Sequence, residues 1–207
     1  MRLQLTAGTR VTPDTGIRVQ DVGKEQGDGE AITVLRVAEA EIGVDLSRQL
    51  QSLLQACFAG YPSRSYFKLP PHFRYVAMRS DGLVVGQMGV ELRIIRVGDD
   101  VIRTFGVVDL CVSGSERSRG LASTLLAEVT DFARACAMAF IVLFADDGRL
   151  YTRNGWIYVS NRCTWVKIDN HVTLGLVSRV NPGVMMVKAV GNQAWPADDV
   201  DLLGHLF

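Results

Sequence analysis

The chain has 207 residues, 48% of them hydrophobic, and its 22 Lys+Arg balance 22 Asp+Glu for a formal net charge of zero. That length suits one domain with a sizeable core, and two separate domains would be a squeeze. The charge balance, with no basic stripe and no nucleic-acid motif, excludes a polyanionic partner as the expected ligand.

In chain order, residues 1–30 are polar and rich in glycine (Gly23, Gly27, Gly29) and are expected to be poorly ordered or extended. They lack the apolar core of a secretory signal. Residues 31–38 read as a first strand. Leu46, Leu50, Leu53, Leu54, Cys57 and Phe58 recur at helical spacing, with Asp45 placed to cap the start and Gly60 the end. A loop over residues 61–73 carries Tyr61, Arg64, Tyr66 and Lys68. Residues 74–78 and 83–97 read as strands. In the second, Met88, Val90, Leu92 and Ile94 alternate with Gln87, Gly89, Glu91 and Arg93. Gly98-Asp99-Asp100 forms a hairpin turn into residues 103–112.

After an amphipathic helix comes the run 138–145, continuously apolar and suited to a strand buried on both faces. Beyond Trp156, residues 156–160, 163–168, 174–179 and 184–190 alternate like antiparallel strands, with Asn181-Pro182-Gly183 as a turn. The sum is an α/β protein: a mixed, mostly antiparallel twisted sheet with helices on both faces. No apolar run approaches the ~20 residues of a membrane helix. Cys57, Cys111, Cys136 and Cys163 stand singly in apolar segments. They read as reduced thiols of a cytoplasmic protein, not as disulfides or a zinc site.

The most informative joint is Leu110-Cys111-Val112-Ser113-Gly114-Ser115-Glu116-Arg117-Ser118-Arg119-Gly120-Leu121-Ala122-Ser123, an apolar strand turning into a helix. The first N–H groups of a helix have no internal partners and carry the positive end of its dipole. With Gly120 and Ala122 leaving the backbone accessible, and Arg117 and Arg119 alongside, this turn is suited to a diphosphate. The Ser123 hydroxyl either joins that cradle or caps the helix.

Asp109 lies in an otherwise apolar strand, where burying a carboxylate costs several kcal/mol unless it is paired or solvated. It is either a general base for an ammonium nucleophile or a structural acceptor. Glu91, on the neighbouring strand, is the second candidate base; the alternative is an exposed strand face. Tyr151 precedes the Gly155-Trp156 pair by four residues. With a reference pKa of ~10 a phenol is a proton donor at neutral pH. The peptide N–H of Cys111 or Val112 can polarise a carbonyl if the strand is splayed before the turn. No histidine neighbours Cys111, so its thiol reads as a core hydrophobe. His72, His171 and His205 are scattered and suggest no metal set.

Arg117-x-x-Gly120-x-Ala122 in this setting resembles the acyl-CoA signature of the GNAT superfamily of N-acetyltransferases. The buried strand at 138–145 and the Tyr151…Gly155-Trp156 segment extend the likeness, over roughly residues 31–170. The resemblance implies the GNAT fold, with acetyl-CoA or another acyl-CoA as co-substrate, no metal, and a small-molecule amine as acceptor. It implies Asp109 as base and Tyr151 as the acid that protonates the departing thiolate. Leu110, Cys111, Val112, Arg117, Ser118, Arg119, Gly120, Leu121, Ala122 and Ser123 would then contact the cofactor.

Two branches look similar: the aminoglycoside 2'-N-acetyltransferases and the nodulation N-acyltransferases that modify chito-oligosaccharide amines. The segment 195–202 carries that likeness and places Trp195 and Asp199, together with Tyr61 and Tyr66, at the amine site. The loop 61–73 departs from the aminoglycoside enzymes, being cationic and aromatic where theirs is acidic. It suits a sugar, a phosphate-bearing or a carboxylate-bearing amine. The expectation is therefore a single N-acyltransferase domain over residues 31–207, acting by direct attack in a ternary complex, with a homodimer compatible with it. Alternatives are a long-chain or carrier-protein donor, or a CoA-binding module without turnover.

Overall fold

The computed structural model describes residues 20–21, 31–180 and 184–207. The expected 181–183 turn, and the rest of the 1–30 segment, lie outside the described residues. In chain order the strands and helices are β1 (Gln20–Asp21), β2 (Ile32–Ala38), α1 (Val44–Cys57), β3 (Phe73–Arg79), β4 (Val84–Val97), β5 (Asp100–Val112), α2 (Leu121–Ala135) and β6 (Phe140–Ala145). There follow α3 (Arg149–Arg153), β7 (Ile157–Tyr158), β8 (Arg162–Asp169), β9 (Val172–Val180), β10 (Val184–Ala189) and β11 (Val200–His205).

The strands form one sheet in the order β1-β2-β3-β4-β5-β6-β10-β7, with β11 bridging β4 to β8 and β9 beyond β8. Only β5–β6 and β8–β11 are parallel; the other pairs are antiparallel. Alternate residues of β6 explain its unbroken apolar run. Ile141 and Leu143 enter the cluster under α2, while Phe140 and Val142 enter a second cluster with Trp165, Val200 and Leu202. A third cluster packs Leu46, Leu50, Leu53 and Leu54 of α1 on Val37, Val76 and Cys111. The central strands are thus covered on both sides over their inner halves, which is why period-2 patterning fades there.

The helix start differs from the expected one. Gly43 is the N-cap of α1, and Asp45 sits inside the first turn, where it pairs with Arg48 at 2.8 Å. In β4 the expected apolar alternation changes sense along the strand. Met88 and Val90 are buried, but Leu92 and Ile94 are exposed while Ile95 and Val97 are buried. The outer half of β4 is covered on its other face by the cluster that β8 and β11 complete.

Candidate active site

Asp109 has φ 52°, in the left-handed region that Asp and Asn tolerate better than other side chains. The cause is a β-bulge in β5. Gly89 of β4 faces Val108 and Gln87 faces Cys111, so β5 spends one residue more than its partner. The extra residue flips the strand's phase. Phe105 and Val107 face the α2 cluster, after which Cys111 faces α1 and Val112 the α2 cluster again.

Polar side chains occupy the groups that the bulge releases. Gln87 Nε2 donates to the Asp109 carbonyl, and Gln87 Oε1 accepts from Arg74 Nη1 at 2.9 Å. Arg74 is fully buried and holds Glu39 through Nε (2.6 Å) and Nη2 (3.1 Å), and the Ser65 carbonyl through Nη2 (2.7 Å). Tyr61, itself buried, donates its hydroxyl to Asp109 Oδ2 at 2.5 Å. Burial raises the Asp109 carboxyl above its ordinary range, outweighing the Tyr61 hydrogen bond and the Arg74 and Lys68 charges. Burial and the Asp109 carboxylate together raise the Tyr61 phenol, so it stays a donor.

Beside the bulge the sheet opens. β5 and β6 pair in parallel only as far as Val107 and Leu143, although β5 runs on to Val112 and β6 to Ala145. Ser113 N donates to Val85 O (2.8 Å), and the ladder pairs Val112 with Gly86. Antiparallel alternation therefore turns the Val112 N–H and C=O away from β4, toward the opening. Its carbonyl meets Cys57 Sγ (3.5 Å) and Arg117 Nε (3.4 Å). The neighbouring Cys111 thiol and Arg117 lower the Cys57 thiol, against the opposing effect of burial.

A cavity of about 410 Å³ occupies the opening and is lined by Asp109, Glu91 and Tyr151 among others. Three sequence candidates for proton transfer thus share one chamber. Their states differ. Burial alone would raise Glu91, but His205 (3.2 Å to Oε1) and Arg93 (2.7 Å to Oε2) occupy both its oxygens and hold it below its ordinary range. Arg93 also donates to His205 Nδ1 (3.3 Å), which leaves Nε2–H as the proton facing Glu91. Burial pushes Tyr151 up to about 12, so it is protonated at neutral pH. Asp109 is the carboxylate of the chamber best suited to accept a proton, and Tyr151 can donate one.

The turn after β5 lies exposed at residues 117–120. Ser118 (φ 63°) and Gly120 (φ 83°) are both left-handed, and Gly120 is the N-cap of α2. The first intrahelical bond runs from Thr124 N to Gly120 O, so the N–H groups of Leu121, Ala122 and Ser123 precede any internal partner. A Cβ on Gly120 would meet nothing within 4 Å, so the chain is open to solvent at this N-cap. Arg119 pairs with buried Glu116 at 2.7 Å. Ser123 Oγ accepts from Asn154 Nδ2 (3.1 Å) and makes no helix cap, which leaves its own proton to donate. Leu110 lines the cavity, and Cys111 packs toward α1.

The remaining sequence candidates fall elsewhere. Trp195 stacks edge-on against Phe140 and gives its indole N–H to Asn161 Oδ1 (2.9 Å), in a separate groove. Asp199 lends its carbonyl to Gly98 N. Tyr66 packs against His171 at the tip between β8 and β9. Sequence reasoning did not select Gln87, Arg74 and Glu39 behind the bulge, nor Arg93, His205 and Phe207 beside the cavity. Phe207 packs on Phe144, and a Cβ on Gly106 would come within 2.9 Å of its ring.

Residues 45–159, more than half of the chain, match the family model described as an acetyltransferase (GNAT) domain. The chain belongs to the GNAT acetyltransferase family. No curated protein matches it. Among solved structures this GNAT chain is similar to the GNAT family N-acetyltransferase YhbS of Escherichia coli, solved in complex with CoA. That likeness has 19% identity and a TM-score of 0.58 and covers 86% of this chain and 93% of that one. It is also similar to a GNAT family acetyltransferase of Brucella melitensis solved with acetyl-CoA, at 16% identity and TM-score 0.53, covering 83% and 96%. An acyl-CoA N-acyltransferase of Pseudomonas aeruginosa gives 15% identity and TM-score 0.54, covering 77% and 100%. At these identities the likeness concerns the GNAT fold.

Proposed function

We propose that this GNAT protein is an acyl-CoA-dependent N-acyltransferase that acetylates the primary amine of a small molecule, amino sugars included, within a ternary complex. Residues 31–207 act as one catalytic domain. The observation that carries the reading is Asp109, a carboxylate of raised pKa held on a bulge inside the opening of the sheet. It shares its chamber with the Tyr151 phenol. The solved relatives named above with CoA and acetyl-CoA support the choice of donor, as do the unpartnered amides of α2.

In this reading the amides of Leu121, Ala122 and Ser123, with Arg117, Ser118, Arg119 and the open space over Gly120, hold the donor's diphosphate. The donor supplies an activated acyl carbon. Leu110, Cys111 and Val112 border its path, and the Val112 N–H polarises the thioester carbonyl. Asp109 takes the first ammonium proton and passes it to solvent; the freed amine forms a C–N bond to the acyl carbon as the C–S bond breaks. Tyr151 then protonates the thiolate. The second proton, shed by the new amide nitrogen, replaces through solvent the one that Tyr151 gives up. Glu91 supports the chamber through Arg93 and His205. Tyr61 acts on the amine through Asp109, whereas Tyr66, Trp195 and Asp199 stand away from the chamber and take no part in this reading. A cavity of about 410 Å³ suits a short acyl group and a small acceptor. The likeness to the aminoglycoside 2'-N-acetyltransferases and nodulation N-acyltransferases remains part of this proposal.

Release of free thiol from acetyl-CoA across a panel of amines tests the reading, and amine-dependent release is expected. Tight CoA binding without release on any amine would make the protein a binding module instead. Gly120→Val places a branched side chain over the amides at a left-handed position, and should cost about 100-fold in acetyl-CoA affinity by calorimetry. Arg117→Ala should cost on the order of 1–3 kcal/mol. Unchanged affinity in Gly120→Val would remove the diphosphate from this turn.

A further inference from the structure

Lys68 is the lysine of the chamber, and the loop that presents it is pinned in place. Arg74 Nη2 holds the Ser65 carbonyl (2.7 Å), Arg64 Nε the Tyr66 carbonyl (3.1 Å) and Arg64 Nη2 the Phe67 carbonyl (2.6 Å). Three successive carbonyls leading to Lys68 are thus fixed by guanidinium groups. Lys68 Nζ gives one hydrogen bond, to the Leu206 carbonyl at 2.7 Å, and lines the cavity with Asp109. Among the described residues no carboxylate lies in ion-pair contact with it. Burial lowers its pKa, while the charges of Glu91 and Asp109 act to raise it. The chamber's carboxylates are engaged elsewhere: Glu91 by Arg93 and His205, and Asp109 by Tyr61. The third, Asp146, stands exposed at the rim.

We infer that Lys68 selects acceptors bearing a carboxylate near the reacting amine, so that the substrate is an amino acid or a short ω-amino acid. The inference rests on the N-acyltransferase reading. A zwitterion matches the chamber at both ends, its ammonium at Asp109 and its carboxylate at Lys68. A neutral amino sugar leaves the ammonium of Lys68 unmatched, and the second charge of a diamine meets a like charge there. A phosphate-bearing amine brings two negative charges to a chamber that offers one lysine, next to Asp109 and Asp146.

The test compares kcat/KM for glycine, β-alanine and γ-aminobutyrate with methylamine, ethylamine and propylamine, which lack only the carboxyl group. Phosphoethanolamine, glucosamine and putrescine serve as further probes. The amino acids should be preferred by about 10–100-fold, the range of one charge-assisted hydrogen bond. Lys68→Gln, which keeps a donor for the Leu206 carbonyl, and Lys68→Met should both bring the amino acids down to the level of the alkylamines. Preference for an alkylamine, glucosamine, putrescine or phosphoethanolamine overturns the inference. So does an equal fall on both series in either variant. If no amine releases thiol, the N-acyltransferase reading fails by itself. Calorimetric binding of β-alanine to the CoA-loaded protein then decides about Lys68: loss in Lys68→Gln upholds its role, and no binding to wild type refutes it.

Discussion

Asp109→Asn is expected to lower kcat by ~10²–10⁴-fold with little change in KM, the range for loss of a general base. The substitution is conservative where it matters. Asn tolerates the left-handed backbone at φ 52° as Asp does, and its amide oxygen can still accept from Tyr61. What disappears is proton acceptance. The acidic limb of kcat/KM should vanish with it, and in wild type that limb should lie above the ordinary Asp range because burial raises this carboxyl. Stability moves the other way. A carboxyl whose folded pKa lies above its unfolded value contributes stability at low pH and loses it as pH rises through the folded pKa. The Asn variant has no charge to bury, so its Tm at neutral pH should equal or exceed that of wild type. Tyr151→Phe should lower kcat less, because the thiolate of CoA leaves tolerably even unprotonated. Folded Asp109→Asn protein with normal turnover would make Asp109 a structural acceptor.

Arg74→Met should be the most damaging single change to stability. Arg74 is fully buried and divides its donors among Glu39, Gln87 and Ser65. Removing Arg74 strands the partly exposed Glu39 carboxylate and the Gln87 and Ser65 oxygens, with the cost of about 3–5 kcal/mol for a fully buried pair as its upper limit. For a chain of this size that limit corresponds to a fall in Tm of roughly 10 °C. The loss should reach the site as well. Gln87 is held by Arg74 and in turn supports the Asp109 carbonyl, so the folded fraction should show a larger loss in kcat than in acetyl-CoA affinity. Arg74→Lys keeps the charge without the fork and should fall between the two. A Met variant as stable as wild type would show that this polar chain carries no net stability.

The parts of the candidate site that are legible in sequence are local ones. The turn at 117–123 announces itself because strand end, arginine, glycine and helix start are contiguous, and the geometry of an N-terminal turn follows from adjacency. Asp109 was visible as a charge in an apolar run, and Tyr151 by its distance from Gly155-Trp156. The bulge was not visible, because its cause lies across the sheet: the Gln87 side chain is 22 residues from the carbonyl it supports. His205 meets Glu91 across 114 residues, so no local pattern could join them. Leu92 and Ile94 misled for a related reason. Which face of a strand is covered depends on what packs there, and β11 arrives from the far end of the chain. Trp195 and Asp199 fall outside the chamber because the segment before β11 turns toward Asn161 and Gly98.

A crystal structure with acetyl-CoA bound would show whether the opening beside the β5 bulge receives the thioester. The diphosphate is expected against the N–H groups of Leu121, Ala122 and Ser123. The thioester should lie in the opening beyond Val107 and Leu143, its carbonyl near the Val112 N–H and its sulfur near the Tyr151 hydroxyl. Acetyl-CoA seated away from that opening, or a thioester with no path to the Asp109 carboxylate, would contradict it.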